Sequence, residues 1–139
     1  MSYLFEIPIH PVPKARPRTF TDKHGLSRTY TPKKTKDFEG LVGDWIAANH
    51  DKHPFAGPLK LELTFMMPVP KSYSKKSRNW CLSRFGTHTK KPDLDNLEKS
   101  VMDAAEGILY YNDSQICSKI SSKVWAEKPM IVLELSFIE

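Results

Sequence analysis

The 139-residue chain is 40% hydrophobic and 27% charged, with a formal net charge of +5. That length suits one domain with its own core; no apolar run is long enough to span a membrane, and the opening "MSYLFEIPIHPVPK" lacks the basic start and apolar block of a secretory signal. Cys81 and Cys117 have neither metal-type nor redox spacing, which fits a reduced, cytoplasmic protein better than a disulfide scaffold.

"YLFEIPI" at 3–9 alternates, with Tyr3, Phe5, Ile7 and Ile9 on one face, and predicts a strand. Three prolines in "HPVPKARPR" forbid helix and favour an extended arm. Along that arm Lys14, Arg16 and Arg18 alternate, so their side chains project to one side: a nucleic-acid backbone contact or a solvated tail. Residues 19–31 predict a loop or a short hairpin turning near "DKHG". A helix is expected from Pro32 to Asn49, capped by Thr31 and carrying Phe38, Leu41, Val42, Trp45 and Ile46 at helical spacing, with Gly40 and Gly43 weakening its middle.

"LKLELTFMMP" predicts a strand with Leu59, Leu61, Leu63 and Phe65 on one face. Residues 69–92 have the character of a long basic loop, a kind of segment that is functional or mobile in small domains. A second helix is expected over Asn96–Glu106, with Asp95 and Glu98 resembling a capping box, Leu97, Val101, Ala104, Ala105 and Ile108 as its apolar stripe, and Gly107 as its stop. A short strand at 108–111, a turn at "YNDS", and strands at 115–125 and 130–138 complete the chain. Ile116, Ile120 and Val124 are expected on one face of the first of these long strands, and Ile131, Leu133, Leu135 and Phe137 on one face of the last. Trp45 and Trp125 read as core aromatics, and His50 and His53 as surface residues near a helix end. The expected fold is a single α+β domain over 1–139, a mixed sheet with two main helices.

Basic charge is concentrated in two segments. Residues 14–36 hold eight Lys/Arg against one Asp, and residues 71–91 hold seven Lys/Arg and no acid. Lys14, Arg16, Arg18 and Lys33 in the first, and Lys71, Lys75, Lys76, Arg78, Lys90 and Lys91 in the second, form the footprint of a polyphosphate ligand, nucleic acid above all. Tyr73, Trp80 and Phe85 lie among them; such rings stack on unpaired bases, and equally well anchor a loop to a core.

"KPDLDNLEK" then places Asp93 and Asp95 one residue apart. The positive end of the following helix eases their repulsion. Lys99 stands one turn beyond Asp95 and Asp103 one turn further, a polar stripe opposite Leu97 and Val101. Asp113 sits in the turn that follows, and a reversal at Gly107 returns that turn toward the helix N-terminus. Aspartates with a lysine suit Mg²⁺, which takes oxygen ligands and completes its shell with water and phosphate. The same spacing also suits a capped helix with solvated charges.

"KPDLDNLEKSVMDAAEGILYYNDSQI", residues 91–116, resembles the signature of the RusA family of Holliday-junction resolvases: a P-D-x-D-N-x-x-K start, an Asp-Ala in mid-helix, a Gly, an aromatic, and an acidic turn leading to S-Q-I. "VPKARPR", "TPKKTKDFE" and "PVPKSYSKK" resemble further parts of that family. The resemblance implies an α+β fold, a homodimer, and a Mg²⁺-dependent endonuclease, with Mn²⁺ able to substitute, that nicks four-way DNA junctions symmetrically in recombination and repair. It implies a cytoplasmic protein of a bacterium, phage or prophage. It further implies that Asp93, Asp95 and Asp113 are metal-binding carboxylates and Lys99 the catalytic lysine; Asn96 and Asp103 match family positions with either a role in the site or a structural one, in the helix start or in holding Lys99. One position departs: Asn112 stands where the family often has the first of two adjacent acids. Two other functions fit the basic segments, a non-catalytic branched-DNA-binding protein and a metal nuclease for other branched or single-stranded DNA.

Overall fold

The computed structural model describes residues 1–84 and 87–138; the expectation placed on Phe85 lies outside them. Chain order is β1 (Ser2–Ile7), β2 (Arg18–Thr21), β3 (Ser27–Tyr30), α1 (Lys33–Asn49), β4 (Leu59–Pro68), α2 (Lys75–Ser83), α3 (Leu94–Ala105), β5 (Ile116–Ala126) and β6 (Met130–Phe137). The main sheet has the order β1-β6-β4-β5, with β4 and β5 parallel and the other pairs antiparallel. This is the α+β domain with a mixed sheet expected from the sequence, with a third helix added.

Period-two patterning decides which sheet face is covered. Phe5 and Ile7 of β1, Leu59, Leu61, Leu63, Phe65 and Met67 of β4, and Ile131, Leu133 and Leu135 of β6 are buried in one core with Phe38, Val42 and Ile46 of α1 and Leu97, Val101 and Ala105 of α3. Each such aliphatic or aromatic side chain contributes about 1.5–3 kcal/mol by leaving water. Gly43 lies where α1 crosses α3; a Cβ there would stand 3.4 Å from the Ala104 carbonyl oxygen. The glycine that weakens the helix signal thus allows the two helices to approach. On the opposite sheet face Leu4, Glu134, Glu62 and Ile120 form one row across all four strands, and Leu4 and Ile120 are exposed.

Several expectations are corrected. Residues 69–92 contain a helix, α2, whose start is fixed by Ser74 accepting from the Ser77 backbone N–H at 3.1 Å. Cys81 is its only fully buried residue, so it has almost no apolar stripe to betray it. Residues 108–111 form no strand: Leu109 and Tyr110 are buried in an irregular segment held by isolated bridges. Helix α3 begins earlier than expected, with Asp93 rather than Asp95 at the cap position, and α1 has Pro32 there, with no side-chain cap from Thr31. His50 is not a surface residue; it is 8% exposed, with Phe55 5.0 Å and Phe5 6.1 Å away between ring centroids. Ile120 shares with Val124 the sheet face away from the main core, but the register shift at the start of β5 turns Ile116 to the core side, so the three do not share one face.

The hairpin near "DKHG" is present as β2–β3. Asp22 accepts from the backbone N–H groups of His24 and Leu26 and pairs with Arg28 at 2.8 Å, while Gly25 takes φ +75°. Both strands are exposed throughout, so this hairpin projects from the domain with Arg18 on it.

Candidate active site

The proline-stiffened arm is laid onto α3 by backbone bonds. The Lys14 N–H donates to the Asn96 carbonyl at 2.8 Å, the Ser100 hydroxyl donates to the Val12 carbonyl at 2.6 Å, and the Ala15 N–H donates to the buried Thr35 hydroxyl of α1 at 3.1 Å. Pinned there, Lys14 turns inward. Its ammonium lies 2.6 Å from Glu39 Oε1 and 3.1 Å from Asp103 Oδ2. Burial works against that charge, and the Glu39 and Asp103 carboxylates overcome it, holding the group above its usual 10.5.

Asp103 is shared. Its Oδ1 accepts from Lys99 Nζ at 3.0 Å, and Lys99 also lies 3.9 Å from Asp113 Oδ2. The hydrogen bond it donates to Asp103 is the main reason the Lys99 ammonium is held above its usual value, against some desolvation. Carboxylate oxygens of Asp103, Glu106 and Asp113 all lie within 4.8 Å of one another. An all-oxygen set of this kind suits a hard divalent cation rather than a soft one.

The turn that delivers Asp113 is tightly built. Asn112 Oδ1 accepts from the Ser114 N–H at 2.9 Å, and Gln115 Oε1 accepts from the N–H groups of Tyr111 and Asn112 at 2.8 and 3.0 Å. Gln115 Nε2 donates to the Phe55 and Gly57 carbonyls, tying the turn to the strand entering the sheet. Asn112 therefore caps the turn. Buried Tyr110 donates to the Met102 carbonyl at 2.7 Å; burial, reinforced by Glu106 and Asp113, pushes its phenol far up, so it remains a neutral donor. Gly107, at φ +86°, makes the reversal, and its N–H donates to Tyr110.

The structure thus brings Lys99, Asp103 and Asp113 together. The returning turn meets the middle and C-terminal half of α3 rather than its N-terminus. Asp93 and Asp95 stand exposed at that N-terminus, outside the close trio; Asp95 Oδ1 accepts from the Asn96 N–H at 3.0 Å. Glu106, missed in the sequence, completes the trio. Its signal was present: Asp95, Lys99, Asp103 and Glu106 recur at helical spacing along one face. Glu98, expected as the capping-box partner of Asp95, instead accepts from Ser121 at 2.7 Å and pairs with Lys119 at 3.2 Å, locking α3 to β5.

Of the basic residues, Arg16, Arg18, Lys71, Lys75, Lys76, Lys90 and Lys91 are exposed and Arg78 is partly so. Lys33 is exposed and pairs with Asp37 one turn along. Lys14 is the exception, engaged by two carboxylates. Lys123 Nζ donates to the Lys90 and Pro92 carbonyls at 2.7 and 2.8 Å, fixing the end of the basic segment just ahead of Asp93. Tyr73 packs toward Trp125 as an anchor, whereas Trp80 is 58% exposed. No helix among the described residues is long and apolar enough to cross a membrane.

The chain is 31% identical over 123 residues to the uncharacterized protein YqaN of Bacillus subtilis (strain 168), covering 87% of this chain and 86% of that one. It is 36% identical over 80 residues to the crossover junction endodeoxyribonuclease rusA of Lactococcus phage r1t, covering 57% of this chain and 54% of that one. The family model described as endodeoxyribonuclease RusA matches residues 8–136, nearly the whole chain, and the protein accordingly belongs to the RusA family of endodeoxyribonucleases.

Proposed function

We propose that the chain is a Mg²⁺-dependent nuclease that resolves four-way DNA junctions by paired nicks, with Mn²⁺ able to substitute. The observation that carries the reading is the placement of Lys99 against Asp113 and Asp103, one turn above Asp95 on α3. The activity named for the phage relative supports it.

Asp113 lies with Asp103 and Glu106 in this structure, apart from Asp93 and Asp95; the reading takes Asp93, Asp95 and Asp113 as the cation ligands on the resemblance to the RusA signature. Asp103 is already neutralised by Lys14 and Lys99, whereas Asp93 and Asp95 are exposed and carry no ion pair among the described residues. Mg²⁺ keeps several waters and needs few direct carboxylates. When bound, it supplies Lewis acidity toward the phosphodiester and neutralises charge as the bond to phosphorus breaks. Lys99 holds a phosphate oxygen in line, its ammonium kept protonated by Asp103. Arg16, Arg18, Lys90 and Lys91 flank the site and grip the DNA backbone.

Paired nicks require two sites, so the reading includes a homodimer. Leu4 and Ile120, exposed on the uncovered sheet face at the two ends of a row with Glu134 and Glu62 between them, are the apolar side chains that face offers for it. The substrate is tested with a panel of labelled DNAs: four-way junction, flap, single strand and duplex. Preferential, symmetric junction cleavage is expected; preferential flap or single-strand cleavage would assign the same site to a different nuclease.

A further inference from the structure

Between α2 and the end of β5 lies a cavity of about 630 Å³, lined by Tyr73, Lys76, Trp80, Thr89, Lys90 and Trp125 among others. Three of its features are unusual for a plain surface groove. Trp80 is 58% exposed, with the Arg84 guanidinium 4.9 Å from its ring centroid. Trp125 is only 5% exposed, yet its indole N–H has no hydrogen-bond partner among the described residues; a buried donor left unmet is destabilising. The rim is cationic, within a segment that holds seven Lys/Arg and no acid.

An occupant must be flat enough to stack on indole and be anionic. A nucleotide meets both requirements. We propose that this cavity receives one unpaired nucleotide of a DNA strand, its base against Trp80 and its phosphates at Lys76 and Lys90. The Lys123 bonds to the Lys90 and Pro92 carbonyls hold this rim next to Asp93, so the captured nucleotide lies on the path to the acidic site. Continuous duplex holds every base in its stack, whereas a branch point interrupts the stack and lowers the cost of extruding a nucleotide. The cavity therefore discriminates open from paired DNA by stacking rather than by base identity.

This inference rests on the nuclease reading for its substrate, and its test is made independent of cleavage. Binding of fluorescent oligo(dT) and of a blunt duplex to the full chain is measured by anisotropy in EDTA, for wild type, Trp80→Ala and Trp80→Phe. Because Trp80 is exposed, circular dichroism of the variants is expected to match wild type. Trp80→Ala is expected to weaken oligo(dT) binding about fivefold or more, the range that base–aromatic stacking implies, with duplex binding within about twofold and Trp80→Phe restoring most of the loss. A smaller effect on oligo(dT), an equal loss on duplex, or no saturable oligo(dT) binding by wild type would overturn the proposal. Cleavage failing while this selectivity holds would count against the nuclease reading alone.

Discussion

Lys14 reaches across from the N-terminal arm to place its ammonium 3.1 Å from Asp103 of α3, whose other oxygen is held by Lys99. Twenty-five residues after Lys14, Glu39 of α1 accepts from the same ammonium. One lysine thus joins the arm and both packed helices, and it neutralises an acid that would otherwise repel Glu106 and Asp113. Replacing Lys14 with Met leaves the half-buried Glu39 carboxylate unpaired and Asp103 with Lys99 alone. Urea unfolding is expected to show a loss of about 1–3 kcal/mol, between the values for exposed and buried pairs; a loss below about 0.5 kcal/mol would mean the pairs carry no net stability.

Metal binding should appear as stabilisation. The carboxylates that crowd around Asp113 repel one another without a cation, so Asp113→Asn is expected to leave metal-free stability unchanged or slightly raised. Mg²⁺ at about a hundredfold over its dissociation constant adds about 2.7 kcal/mol to a protein that binds only when folded, which is a rise of several degrees in Tm at this size. Thermal melts with Mg²⁺ and with EDTA should show that rise for wild type and not for Asp113→Asn. Equal shifts in both proteins would remove Asp113 from the ligand set.

His88 gives a pH signature. Burial, with Lys123 and Lys90 nearby, holds its imidazole below the ordinary 6.5. Its folded form therefore binds a proton less readily than the unfolded chain. The sign follows from linkage: the contribution is fully present above about 6.5 and is lost as pH falls from there through the lower folded value. His88→Gln should flatten the decline in Tm between about pH 7 and 5 relative to wild type. Parallel curves would show that His88 binds its proton equally well in the folded and unfolded protein.

Dimerisation across the uncovered sheet face predicts a simple outcome. Ile120→Lys places a charge at an exposed position of β5, where it disturbs no core contact, and is expected to convert a dimer to a monomer in light scattering. Unchanged mass for this variant would move the interface elsewhere.

Much of the fold was legible because period-two and helical patterning coincide with burial in β1, β4, β6, α1 and α3. Helix α2 was not, since its residues are polar on nearly every face and only the Ser74 cap announces it. The segment 108–111 was misread for the converse reason: Leu109 and Tyr110 are apolar because they plug the core beneath a turn, not because they alternate in a sheet. At the site, Lys99 and Asp103 were legible from helical spacing. The inward turn of Lys14 was not, because it depends on backbone bonds to Asn96 and on Thr35, contacts no local pattern encodes. The same holds for Asn112, whose oxygen caps the turn that carries Asp113.

The most direct measurement is nicking of a labelled four-way DNA junction by the purified protein with Mg²⁺, beside Asp95→Asn and Lys99→Gln. Wild type is expected to make symmetric nicks, and both variants to lose about 10²–10³-fold or more in rate, the scale of removing one group that stabilises transition-state charge, while still binding the junction. Binding without cleavage by wild type in either Mg²⁺ or Mn²⁺ would contradict the account and leave a branched-DNA-binding protein in its place.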